Sequence, residues 1–124
     1  MPHDPARDPS EHLRLHWGEA LADALHRRVH REVTRNDRVS AVMVPPDWYE
    51  SARRVNPAPE PQSWTSRTGR DELTRILDAV EYENAHAAIT RYGRPAALLI
   101  PANWYRTALD AESASHRKVI NKEP

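Results

Sequence analysis

Residues Thr34–Ala52 read TRNDRVSAVMVPPDWYESA, and residues Thr90–Ala108 read TRYGRPAALLIPANWYRTA. A shift of 56 residues lays Thr34, Arg35, Arg38, Ala41, Pro45, Trp48, Tyr49 and Ala52 onto Thr90, Arg91, Arg94, Ala97, Pro101, Trp104, Tyr105 and Ala108. Apolar character also matches at Val42/Leu98, Met43/Leu99 and Val44/Ile100. Two Trp-Tyr pairs behind two Thr-Arg turns in one frame indicate a tandem duplication of a small unit.

Each copy carries the pattern of a β-hairpin followed by a short helix. An apolar run enters a polar turn, Arg-Asn-Asp-Arg or Arg-Tyr-Gly-Arg, and a second apolar run ends at proline. Gly93 takes positive φ without steric cost, and Asn36 and Asp37 tolerate it better than most residues. Pro45 and Pro101 stop the second strand because proline cannot donate to a ladder. Asp47 and Asn103 then sit where a helix is capped. The Trp-Tyr pair and the alanine after it share one face of that helix. Trp48 and Trp104 are expected at equivalent, largely buried positions.

The bounds on the chain follow from its composition. It has 124 residues, and two units of about 50 would each be marginal alone, so they are expected to pack together or with a second chain. Cysteine is absent, which excludes disulfides and thiolate metal sites and suits the cytoplasm. No apolar run approaches the ~20 residues needed to cross a bilayer, so no membrane partner is expected. MPHDPARDPSEH lacks the apolar stretch of a signal peptide. Eighteen basic and eighteen acidic residues cancel, and only Lys118 and Lys122 among the basic ones are lysine. Charge dominated by arginine favours bidentate recognition of carboxylate or phosphate.

In chain order, residues 1–11 read as a mobile N-terminus rich in Pro, Asp and Arg. Residues 12–54 form the first unit: His12–Trp17 alternates like an edge strand, and Leu21, Leu25 and Val29 predict a helix from Trp17 to Arg31. Residues 55–63 are a Pro-rich linker that reaches roughly 30 Å if extended. Residues 64–110 form the second unit. There Ser63–Ser66 reads as a strand, Thr68 as a cap, and Leu73, Ile76, Leu77 and Val80 as an amphipathic stripe. Residues 111–124 read as a tail extending the last helix by a turn or two, with Leu109, Val119 and Ile120 as its few apolar anchors. The fold class is therefore α+β, two tandem units of strand, helix, hairpin and short helix packed as a pseudo-dimer.

From Trp64 to Asp110 the second unit resembles the Phd/YefM antitoxins of bacterial toxin–antitoxin modules. The resemblance rests on Arg67-Thr68-Gly69-Arg70-Asp71-Glu72-Leu73, on Ile76-Leu77-Asp78-Ala79-Val80-Glu81 and on the run from Ile89 to Pro101. It implies an α/β module that dimerises, binds operator DNA and represses its own operon, and a C-terminal segment that folds onto a cognate toxin. It implies DNA contacts from the arginine before the long helix and from that of the Thr-Arg hairpin, here Arg70 and Arg91. Arg67 and Arg94 lie beside them, and Arg35 is the hairpin position of the first unit. With Val29 set against Val80, the Arg70 and Arg67 positions of the first unit become Glu19 and His16, a degenerate DNA face.

The residues themselves leave other readings. The arginines serve equally as solvated surface charges paired with Asp71, Glu72 or Asp78. Trp48-Tyr49 and Trp104-Tyr105 fit packing better than base stacking, since neither copy is threaded with a basic groove. His12/His16 and His26/His30 have the i, i+4 spacing that bridges a metal on a helix, yet lack a third ligand, so no metal or cofactor is expected. No nucleophile motif, phosphate loop or paired carboxylates mark an enzyme. Three functions remain: an antitoxin that binds DNA as an autorepressor, an interaction module with reduced or lost DNA binding, and a regulator of the same fold without a toxin. A homo-oligomer is compatible with each.

Overall fold

A computed structural model describes residues 5–121, with side chains for residues 5–114. The elements are β1 (Ala6–Pro9), α1 (Ser10–Leu15), α2 (Trp17–His26), β2 (Arg31–Arg35), β3 (Arg38–Val44) and α3 (Pro46–Val55), then β4 (Gln62–Thr65), α4 (Ser66–Asp71), α5 (Leu73–Glu83), β5 (Ala87–Arg91), β6 (Arg94–Ile100) and α6 (Ala102–Asn121). The second six repeat the first in type and order. The class is α+β, with one open six-stranded sheet in the order β1-β2-β3-β6-β5-β4.

The sheet is symmetric about its middle. β3 and β6 are antiparallel, and Met43 pairs with Leu99, its own counterpart under the shift of 56. A pseudo-two-fold axis therefore passes through that pair. On each side an antiparallel hairpin is followed outward by a short parallel edge strand. Both hairpins carry a bulge, at Ser40 and Ala96, and both turns place two residues at positive φ: Asn36 and Asp37, Tyr92 and Gly93. Two-residue turns of this kind match the right-handed twist of the strands.

Alternation along β3, β5 and β6 divides the core into two layers. One face carries Val33, Ala41, Met43, Ile89 and Leu99, covered by Leu13, Trp17, Leu21, Leu73, Ile76, Leu77 and Val80. The other carries Val42, Val44, Ala88, Leu98 and Ile100, covered by Tyr49 and Tyr105. The cover is exchanged between repeats: α2 lies on β6, and α5 lies on β3. Neither repeat closes its own core, the packing expected of units too small to stand alone.

Several local expectations are corrected. The first edge strand is Ala6–Pro9, inside the stretch read as mobile, while His12–Trp17 is helical. Leu13 is buried and Leu15 exposed, so the apolar stripe runs Leu13, Trp17, Ala20, Leu21 at helical spacing and the apparent alternation was incidental. The first long helix stops at His26 instead of Arg31, because Arg28 turns to φ 56° and the Val29 N–H bonds back to the Asp23 carbonyl at 3.1 Å. Asn84 and Ala85 close α5 in the same way, with φ 57° and a 3.1 Å bond to Ala79. Both are Schellman-type ends, one of them built without glycine or asparagine. The second repeat starts its helix earlier than Thr68: Thr65 is the cap, and its hydroxyl accepts the Thr68 N–H.

Trp48 and Trp104 are equivalent but only half-buried, and the fully covered members of the pairs are Tyr49 and Tyr105. Within the Pro-rich linker, Asn56 donates to the Trp104 carbonyl, and the Trp104 indole donates to that of Pro57. α6 continues to Asn121, much further than a turn or two past Leu109. Val119 and Ile120 lie outside the described side chains, and residues 1–4 and 122–124 outside the described chain. Among the described residues no helix is long and apolar enough to cross a membrane.

Candidate functional site

The shift of 56 holds from β1 onward, which changes the alignment of the long helices. Trp17 is the counterpart of Leu73, Leu21 of Leu77 and Ala24 of Val80. Val29 is the counterpart of Ala85, not Val80. The Arg70 and Arg67 positions of the first repeat are therefore Arg14 and Glu11, not Glu19 and His16. Arg14 is the residue the sequence reading missed, and Ser10/Ser66 together with Leu21/Leu77 in the same frame were the signal for it.

Arg14, Arg67 and Arg70 line one cavity of about 540 Å³, with Trp17, Gly18 and Asp71 among its walls. It opens where the α1–α2 and α4–α5 junctions face each other across the pseudo-two-fold axis. Arg14 crosses the axis to donate to the Thr74 hydroxyl at 3.1 Å. The counterpart of Thr74 is Gly18, which has no side chain to accept from Arg70. All three arginines are exposed and enter no ion pair among the described residues.

Close packing beneath holds this surface. The Trp17 indole donates to the Ser66 carbonyl at 2.8 Å, joining α2 to the start of α4. A Cβ on Gly69 would lie 3.0 Å from Ile89 Cδ1 and 3.3 Å from Trp17 Cζ2. Gly69 therefore lets α4 sit down on Trp17 and β5, with Arg67 and Arg70 displayed on either side. The first repeat is larger at both positions, with Leu13 at that of Gly69 and Trp17 at that of Leu73, and smaller further along the helix, with Ala20 and Ala24 at those of Ile76 and Val80.

The hairpin arginines have separate fates. Arg91 and Arg94 are exposed and line a different cavity with Leu25 and His26. Gly18 and Leu25 mark opposite ends of α2, roughly 10 Å apart at the helical rise. Arg67 and Arg70 thus line one cavity, and Arg91 and Arg94 another. Arg35, a candidate DNA contact, is engaged within the chain. It donates to Ser40 at 2.9 Å, Asp78 at 2.7 Å and Glu81 at 2.8 Å, and its side chain is 16% exposed. Arg38 completes the cluster on Glu81 at 2.7 Å and on the Tyr82 hydroxyl at 2.6 Å. Burial alone would raise the Glu81 carboxyl, but hydrogen bonds from Arg38, Arg35 and Ser40 overcome it and hold the pKa at about 2.

The opposite face of the sheet is an aromatic seam. His86 shares a 2.8 Å hydrogen bond with Tyr49, and its counterpart His30 shares a 2.7 Å bond with Tyr105. Each repeat's histidine thus binds the other repeat's tyrosine. Trp48 and Trp104 meet edge to face at 6.5 Å beside the axis. Burial lowers His86 to about 4 and raises Tyr49 and Tyr105 to about 12, so these pairs are neutral through the physiological range. The seam is a structural lock, in agreement with the packing role read for the Trp-Tyr pairs. His12 and His16 stack at 4.3 Å, with His12 held by Asp8. His26 and His30 are divided by the end of α2 and share no helix.

Comparison with family models, with curated proteins and with solved structures finds no match.

Proposed function

We propose that the chain is a DNA-binding antitoxin of the Phd/YefM kind that carries both halves of a dimeric repressor in one polypeptide. The observation behind this reading is the pair Arg14 and Arg70 at equivalent positions on either side of a pseudo-two-fold axis, with Arg67 beside them. Two-fold proteins read two-fold operators, and a duplicated chain offers that symmetry without a second subunit. Arginine suits the role because its planar fork holds a phosphate or a guanine edge bidentately. A chain of zero net charge can still bind DNA when its cations gather locally, since fields act within a Debye length of ~8–10 Å. The protein is non-enzymatic and cytoplasmic in this reading, and represses its own operon while neutralising a cognate toxin. With the linker fastened to Trp104, the segment available to that toxin is the outer part of α6, beyond Ala108.

A specific observation favours the alternative, an interaction module with reduced DNA binding: Arg35 and Arg38 are consumed by Glu81 and Asp78. The test is a titration of the full chain onto duplex DNA taken from upstream of its own reading frame, at two salt concentrations. Log K is expected to fall with log salt at roughly −0.9 per phosphate engaged. Absence of binding at low salt removes the repressor reading and leaves the interaction module.

A further inference from the structure

The pseudo-two-fold axis relates the α1–α2 junction to the α4–α5 junction, yet the two surfaces share only part of their residues. Ser10 and Arg14 recur as Ser66 and Arg70. The residues around the arginines do not recur: Glu11 stands opposite Arg67, Leu15 opposite Asp71 and Gly18 opposite Thr74. Leu15 and Asp71 each follow the shared arginine directly, and both line the cavity at the axis with it. Leu15 is 76% exposed, and Asp71 is exposed with no ion pair among the described residues. Neither side chain belongs to the core. Arg14 is held by the Thr74 hydroxyl at 3.1 Å, whereas Gly18 offers Arg70 no such acceptor.

We infer that the two halves of this face read different base pairs, so that the duplex the chain prefers is asymmetric: thymine beside the first half, through Leu15, and cytosine beside the second, through Asp71. The inference rests on the DNA-binding reading above and deepens it. The chemistry of the major groove assigns the bases. The apolar group that a base pair presents there is the C5 methyl of thymine, and an exposed leucine gains by covering it. A carboxylate is repelled by phosphate, so an aspartate on such a face needs a base that donates to it. The cytosine N4 amino group does so, whereas the adenine amino group stands beside the acceptor N7, which repels the second carboxylate oxygen. Arg67 adds a cation to the second half where the first has Glu11, so the halves also differ in their hold on the backbone. Arg14, already fixed by Thr74, has less freedom to lose on binding than Arg70. A dimer of identical chains presents the same residues twice and reads both halves alike. A duplicated chain escapes that constraint, because each copy diverges by itself.

The test is selection of the full chain against a randomised duplex library at low salt, with the retained duplexes sequenced over successive rounds. The wild type is expected to enrich a site with unequal halves, one carrying thymine where the other carries cytosine. Leu15→Asp should replace that thymine by cytosine, and Asp71→Leu should replace that cytosine by thymine, so each variant enriches a palindrome. Both positions are exposed, and both variants should keep the wild-type circular dichroism spectrum. Titrated onto defined duplexes, each protein should prefer its own site over those of the other two by about tenfold. A palindrome enriched by the wild type, one site enriched by all three proteins, or retention of duplex without any enriched sequence overturns the inference and leaves DNA binding standing. No retention of duplex by the wild type removes the DNA-binding reading, and the inference with it.

Discussion

Replacing Glu81 with glutamine should be the most costly single change of charge in the molecule. Its carboxylate accepts from Arg35 at 2.8 Å, Arg38 at 2.7 Å and Ser40 at 2.8 Å, and its side chain is 15% exposed. Glutamine keeps the shape and one acceptor but removes the charge that balances two guanidinium groups. A carboxyl displaced from 4.5 to about 2 on folding corresponds to roughly 3 kcal/mol. Arg38 is 46% exposed and Asp78 53%, so water screens the rim of the cluster and about 2 kcal/mol is the better figure. Urea unfolding at neutral pH should show that loss. The linkage has a definite sign. The folded carboxyl is depressed, so its contribution is complete above pH 4.5 and disappears as pH falls toward 2. Wild-type stability should therefore fall through that window more steeply than that of Glu81→Gln, and the two should converge at its lower end. A loss below about 0.5 kcal/mol at neutral pH, or parallel acid limbs for both proteins, would refute the assignment of this cluster as the clamp between the repeats.

Arg35→Ala should cost stability on the same scale and leave DNA affinity within about twofold, read by urea unfolding and by DNA titration of the same preparation. Gly69→Ala should cost about 1–3 kcal/mol, since its methyl meets Ile89 and Trp17, whereas Gly18→Ala, with open space around its Cβ, should be tolerated or stabilising. His86 should impose its own acid dependence. The unfolded chain takes up that proton near 6.5 and the folded chain only near 4, so up to about 3 kcal/mol of stability is lost as pH falls between the two values. Tyr49→Phe, which leaves His86 without its partner, should cost about 1–2 kcal/mol in urea unfolding at neutral pH.

The duplication was legible because both copies spend their strongest signals at the same places: the Thr-Arg turn, the proline that ends the strand and the Trp-Tyr pair on the helix. The half preceding the hairpin was less legible because the repeats place residues of unlike size and polarity at matching positions. Leu13 and Trp17 stand opposite Gly69 and Leu73, and Asp8, buried with Arg31, stands opposite Trp64. Side-chain similarity therefore pointed to a false register on Val29 and Val80, and Arg14 was hidden behind it. The helix end at Arg28 carried no glycine to announce it. Exposure of Arg67, Arg70, Arg91 and Arg94 was readable from their polar surroundings. The capture of Arg35 was not, because Glu81 lies 46 residues away and only the exchange of α2 and α5 across the sheet brings the two together.

The proposed DNA-binding face draws on both halves of the chain, and the comparison of Arg14→Ala with Arg70→Ala tests it. Both variants should be titrated, beside the wild type, onto the upstream duplex at two salt concentrations. A loss of affinity is expected from each variant, and for phosphate contacts a salt slope flatter by about one in each. Loss from Arg70→Ala alone, with Arg14→Ala indistinguishable from the wild type, would contradict it.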